Sequence, residues 1–156
     1  MLPASIATLV VLLLQSVVGP VGPDGWFKYT SPEGRFSVLM PKEFHKDASY
    51  FLSVGYFDYG PEEASPLDRA RDRVLKVSKG TLLSEHPVGL EGRVGRETRA
   101  AVAGPAKRRY LARTRYYEVA GRVYFLHFIF VKSGDDPDLT KKCEKFFDSF
   151  EVVAGP

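Results

Sequence analysis

The chain has 156 residues, 44% hydrophobic and 13% aromatic, with a formal net charge of +3. That length and composition suit one domain with a proper core and exclude a disordered polyelectrolyte; so small a charge makes no general case for nucleic acid. A single cysteine, Cys143, excludes an internal disulfide and a metal site built from thiols.

Taken in order, Ile6 to Val18 is almost wholly apolar, interrupted by Gln15 and ended by Gly19-Pro20. It is too short and interrupted for a confident membrane span but fits the apolar region of a secretory signal, although no Lys or Arg precedes it. The expected organisation is a signal over 1–19, a flexible leader over 20–25, one domain over 26–153 and a tail over 154–156. Export to the periplasm or outside the cell follows. A retained anchor at 6–18 and a buried N-terminal element stay open.

Trp26 to Thr30 reads as a short strand, Ser31-Pro-Glu-Gly34 as a turn, and Arg35 to Met40 as the returning strand of a hairpin. Pro41 stops it, Lys42 to Ala48 is a loop, and Ser49 to Tyr59 is a longer aromatic strand. A helix follows, with Ser65 as N-cap, Pro66 at its first position and Asp68 near the positive end of the dipole. Leu67, Ala70, Val74 and Val77 form its apolar stripe, and Gly80 is the natural C-terminal cap.

Thr81 to Leu90 carries a strand signal broken by Pro87; Glu91-Gly-Arg-Val-Gly95 supplies a bend, and Arg96 to Ala103 a further strand. Lys107 to Lys132 is the central hairpin, turning at Ala120-Gly121. A two-residue turn there pairs Glu118 with Val123, Tyr116 with Phe125 and Thr114 with His127. Val123 to Val131 is apolar at nearly every position, so both faces of that strand should be covered. Asp136 caps a last helix begun by Pro137, whose apolar face is Leu139, Cys143, Phe146, Phe147 and Phe150; Phe150 to Val153 adds a closing strand. The fold class is α+β: a mainly antiparallel sheet of about six or seven strands with a helix on each face.

The pieces resemble the PsbP-like family of Mog/PsbP-type α/β/α sandwiches, which includes small exported bacterial proteins of unknown role. The resemblance rests on Trp26-x-x-Tyr29-x-Ser31-x-Glu33-Gly34-x-Phe36-x-Val38-x-Met40-Pro41, then Tyr56-x-Asp58-Tyr59 and Leu90-x-Gly92-x-x-Gly95-Arg96-Glu97. Arg109-Tyr110-Leu111, Arg115-Tyr116-Tyr117 and Phe146-Phe147-Asp148-Ser149-Phe150 complete it, so that it covers about Trp26 to Val153. One departure is the short Lys42 to Ala48 segment, which leaves no room for a strand that such proteins often carry. The resemblance implies a non-catalytic accessory that acts by binding partners, and it transfers no catalytic residue.

His45, His86 and His127 are not spaced as metal pairs, no Gly-x-Ser-x-Gly elbow is present, and Cys143 falls on an apolar helix face. Asp135, Asp136 and Asp138 are explained by capping rather than by a calcium loop. No metal or cofactor is expected. His127 on the most apolar strand reads as a satisfied core histidine; a small exported hydrolase built around it is the enzymatic alternative.

The feature above background is basic. Arg109, Tyr110, Arg113, Arg115 and Tyr117 crowd one strand beside Lys107 and Arg108, and Arg109, Arg113 and Arg115 share a parity with Leu111 and Tyr117. Tyrosine with arginine makes a binding hot spot for a protein or an anionic polymer, or a groove that stacks bases. Export and the small charge weigh against nucleic acid. The plainer reading has these arginines lying over apolar neighbours and offset by Glu97 and Glu118.

Overall fold

A computed structural model describes residues 17–42, 50–104, 108–132 and 136–154. Most of the apolar stretch at 6–18, most of the 42–48 loop, His45, Lys107 and Asp135 lie outside them. The chain divides into two compact units, one from residues up to 44 and from 140 onward, the other from 45–139.

The first unit holds a four-stranded antiparallel sheet in the order β1-β2-β3-β9, from β1 (Val17–Val18), β2 (Trp26–Ser31), β3 (Phe36–Pro41) and β9 (Glu151–Val152). The β2–β3 hairpin pairs Ser31 with Phe36, and the Ser31 hydroxyl accepts the Gly34 N–H at 3.0 Å, so the Ser-Pro-Glu-Gly turn closes as its residues predict. Helix α2 (Pro137–Asp148) belongs to this unit for all but its opening residues. The Asp136 carboxylate caps it, accepting the Asp138 N–H at 2.9 Å. Its apolar face is buried at Cys143, Phe146 and Phe147, and Phe150 just beyond packs its ring 5.9 Å from that of Phe36. The Ser149 hydroxyl accepts the Leu39 N–H at 2.8 Å, and Glu151 takes Lys28 at 3.0 Å, which ties the chain's last strand to the first hairpin.

The second unit is a five-stranded antiparallel sheet in the order β4-β8-β7-β6-β5. Its strands are β4 (Tyr50–Asp58), β5 (Gly80–Leu90), β6 (Arg93–Ala103), β7 (Arg109–Val119) and β8 (Arg122–Val131). The α+β class and its antiparallel pairing stand as the sequence implies. The difference is in sheet number: alternation predicts one sheet, and the strands divide into two, because the β2–β3 hairpin pairs with β1 and β9 and not with the strands of the larger sheet.

Helix α1 (Pro66–Ser78) covers one face of that sheet. Ala70 is buried with Tyr116 and Val123, flanked by Leu67 and Val74; Leu75 packs on the cluster of Ala100, Val102, Tyr110 and Ala112. Val77, expected in the stripe, is 79% exposed. The sheet lies instead toward Leu75 and toward Arg71, whose guanidinium reaches Glu85 of β5 at 3.0 Å. The cap also differs. Lys79, not Gly80, takes the left-handed conformation (φ 51°) and donates to Leu75 and Lys76 carbonyls, and Ser65 makes no side-chain capping bond. Gly80 opens β5, where a Cβ would sit 3.2 Å from Leu75 and 3.6 Å from Ala100, so glycine serves close approach of helix and strand. Pro87 does not break β5, because β5 is an edge strand, where a missing N–H is tolerated.

The β7–β8 hairpin has the expected register, Glu118 with Val123, Tyr116 with Phe125 and Thr114 with His127. Both turn residues have positive φ, 49° at Ala120 and 80° at Gly121, as a two-residue turn matched to strand twist requires. Strand β8 is dry on alternate sides: Val123 is fully buried on the α1 face, and Leu126 and Phe128 are fully buried on the other. Phe128 stacks on Tyr50 of β4 at 5.5 Å.

Ala120 holds a left-handed conformation that costs an alanine roughly 1 kcal/mol. Ala120→Asn should therefore raise the unfolding free energy in urea by about 0.5–1 kcal/mol, and Ala120→Val should lower it; equal midpoints for the two variants would show that the turn is not under this strain.

Candidate binding surface

Strand β7 sorts its side chains by parity. Tyr110, Ala112, Thr114 and Tyr116 face α1 and are buried, which withdraws Tyr110 from the basic group in which the sequence places it. Arg109, Leu111, Arg113, Arg115 and Tyr117 lie on the opposite face, and Tyr117 is 1% exposed.

Arg113 and Arg115 do not extend freely into water. Both close on Glu97 of β6: Arg113 Nη2 lies 2.7 Å from Oε1, and Arg115 Nε donates to Oε2 at 2.7 Å. The Glu97 side chain is 2% exposed, against 12% and 15% for the two arginines. Register explains the geometry, since Glu97 stands directly across from Arg115 and diagonally from Arg113. Burial alone would raise the Glu97 pKa, but the hydrogen bonds from Arg115 and Arg113 outweigh it and hold the carboxyl below its usual range. The ion triad is thus an internal brace.

The same face continues past the brace. Arg99 stands across from Arg113, and Leu111 stands between Ala101 of β6 and Phe130 of β8. The Lys132 N–H donates to the Arg109 carbonyl at 2.9 Å, which sets Lys132 beside Arg109. Arg99, Arg109 and Lys132 are exposed, and Leu111 and Phe130 are half-buried. Like charges opposite one another repel; Arg113 turns to Glu97, and Arg99 is left with no acid among the described residues. Arg109 and Lys132 also have none there. The sequence singles out Arg109 but misses Arg99 and Lys132.

Several other cations are compensated. Glu85 binds Arg71 at 3.0 Å and Arg96 at 2.7 Å, Arg96 also meets Asp68, and Arg122 takes Asp58 at 2.5 Å. The outer edge of the sheet is a poor docking site by comparison, because β5 carries a bulge between Leu82 and Ser84 and then Pro87.

His127 is not paired with an acid among the described residues. Its Nδ1 lies 2.6 Å from the Thr114 hydroxyl, and burial pushes its pKa down to about 4, too low for a base that works near neutrality. Two shallow surface depressions, one along α1 by Asp68 and Asp72 and one by Leu67, His86 and Val94, do not include it. Cys143 is buried, and no group of His, Cys, Asp and Glu among the described residues could hold a metal ion.

No family model matches the sequence, and no curated protein matches it. Solved structures do. Cyanobacterial PsbP (CyanoP) from Synechocystis sp. PCC 6803 superposes with a TM-score of 0.56 at 17% identity, covering 86% of this chain and 96% of that one. A Pseudomonas aeruginosa protein of unknown function, PA94, gives 0.46 at 13% identity over 77% and 92%. The Saccharomyces cerevisiae Ran-binding protein Mog1p gives 0.49 at 9% over 88% and 95%. The CyanoP match shows the fold of this chain to be PsbP-like.

Removing one member of a buried ion group strands the rest, at about 3–5 kcal/mol. Glu97→Ala should cost on that order in urea unfolding, whereas Arg99→Ala should stay within about 0.5 kcal/mol; similar costs for both would mean that the brace is not structural. His127 gives a pH dependence with a definite sign. Unfolded, it takes up a proton near 6.5, and folded only near 4. Its contribution is fully present above pH 6.5 and is lost as pH falls toward 4, with a slope approaching about 1.4 kcal/mol per unit. His127→Gln should flatten the stability–pH curve in that window.

Proposed function

We propose that this chain is an exported, non-catalytic accessory module that holds a protein partner against the face of β7 opposite α1. The observation that carries the reading is the row of exposed cations Arg99, Arg109 and Lys132 on one sheet face, none of them paired with an acid among the described residues, in a protein whose other described arginines largely meet carboxylates. Such a surface raises the encounter rate of acidic partners and orients them. Of the three same-face arginines of β7, Arg109 is the contact residue; Arg113 and Arg115 hold the face in shape through Glu97. Export rests on the apolar run Ile6 to Val18 and its Gly19-Pro20 end.

The full chain and its Arg99→Glu/Arg109→Glu/Lys132→Glu variant, used as baits on the exported protein fraction, should differ about tenfold or more in recovery of acidic proteins. Lys76→Glu, on the exposed side of α1, should leave recovery unchanged. Unaltered recovery by the triple variant, with its melting temperature intact, removes this face as the site.

A further inference from the structure

Taking that face as the binding site, we infer that its partner presents an extended acidic segment with a large apolar side chain between two acids, in the pattern acid-x-apolar-x-acid. The face is not uniformly charged. Along β7 it reads Arg109, Leu111, Arg113, and each position is doubled by a cross-strand neighbour: Lys132 beside Arg109, Phe130 beside Leu111, and Arg99 beside Arg113. The result is an apolar centre with the exposed pair Arg109 and Lys132 at one end and the exposed Arg99 at the other, its neighbour Arg113 being taken up by Glu97. The two ends are four residues apart along the strand, about 13 Å at the usual strand rise.

The centre is firm. The Phe130 ring lies 6.1 Å from that of Phe128, which is itself stacked on Tyr50 at 5.5 Å, so an incoming side chain meets a fixed aromatic floor rather than one it must order. An extended segment shows every second side chain to the surface it lies on. Residues i, i+2 and i+4 of such a segment match in spacing the Arg109–Lys132 pair, the apolar centre and Arg99. A polyphosphate chain matches less well, because its charges repeat without an apolar interval and would be drawn over Leu111 and Phe130. An acidic polypeptide is therefore the fitting class.

Fluorescence anisotropy with the full chain tests this. The probe is a labelled peptide, Gly-Ser-Glu-Ser-Phe-Ser-Glu-Ser-Gly, set against a permuted peptide of identical composition with its two Glu adjacent and against oligothymidylate. The patterned peptide should bind about tenfold more tightly than the permuted one. Arg99→Glu/Arg109→Glu should abolish binding, and Leu111→Thr should erase the preference for pattern while leaving a salt-sensitive residue of affinity. Equal binding of the two peptides overturns the inference even if the bait experiment succeeds, since charge alone would then explain capture. Oligothymidylate binding as tightly as the patterned peptide overturns the choice of polypeptide. Absence of peptide binding at about 1 mM overturns it as well. Should Leu111→Thr fail to fold, the peptide permutation alone still decides.

Discussion

Strand β8 buries side chains on both of its faces, and the sheet of the second unit is built around it. Val123 on one face and Leu126 and Phe128 on the other are fully withdrawn from solvent. Such a strand is stable only in the interior of a sheet, and it stands there, between β4 and β7. Its partner β7 is set in register by the two positive-φ residues of the Ala120-Gly121 turn. A slip of one residue would exchange the faces of β7. Arg113 and Arg115 would then point at α1 and Tyr116 away from it, so the turn fixes where the charges of the molecule lie.

Given that register, the positive charge on β7 becomes a problem that Glu97 resolves. Two arginines on adjacent same-face positions, with Arg99 across from one of them, would repel. One buried carboxylate draws Arg113 and Arg115 inward, and hydrogen bonds to both outweigh what its burial costs. What remains is Arg99, displaced from compensation by the neighbour that took the acid. The exposed cation and the buried brace therefore have one origin.

The parts of this arrangement that were legible in the sequence are local. The hairpin register needs only the Ala-Gly turn, the last helix needs only Asp136 and Pro137, and the dryness of β8 needs only its unbroken apolar run. Pairings between distant segments were not legible. Nothing in Glu151–Val152 announces that it joins β3 and extends the smaller sheet. No tight-turn pair joins β6 to β7 as Ala-Gly joins β7 to β8, so the approach of Arg99 to Arg113 could not be counted off. At the end of α1, glycine at 80 looked like the cap because left-handed backbone favours it, yet close packing against Leu75 and Ala100 claims that residue and leaves the strained position to Lys79. Tyr110 was separable by parity alone, and its burial with Ala100 and Ala112 follows from that.

The distribution of roles along β7 has a consequence for how such a surface can change. Arg113 and Arg115 are bound into the core electrostatics, and altering either disturbs a buried carboxylate. Arg109, Arg99 and Lys132 make no ion pair with any described residue, so their replacement costs the fold little. Stability and exposed charge are therefore carried by different residues of one sheet face, and the exposed cations can change while the brace stays in place. A loop could not offer this separation, because its side chains would have no sheet to hold the apolar centre fixed while the charges around it vary.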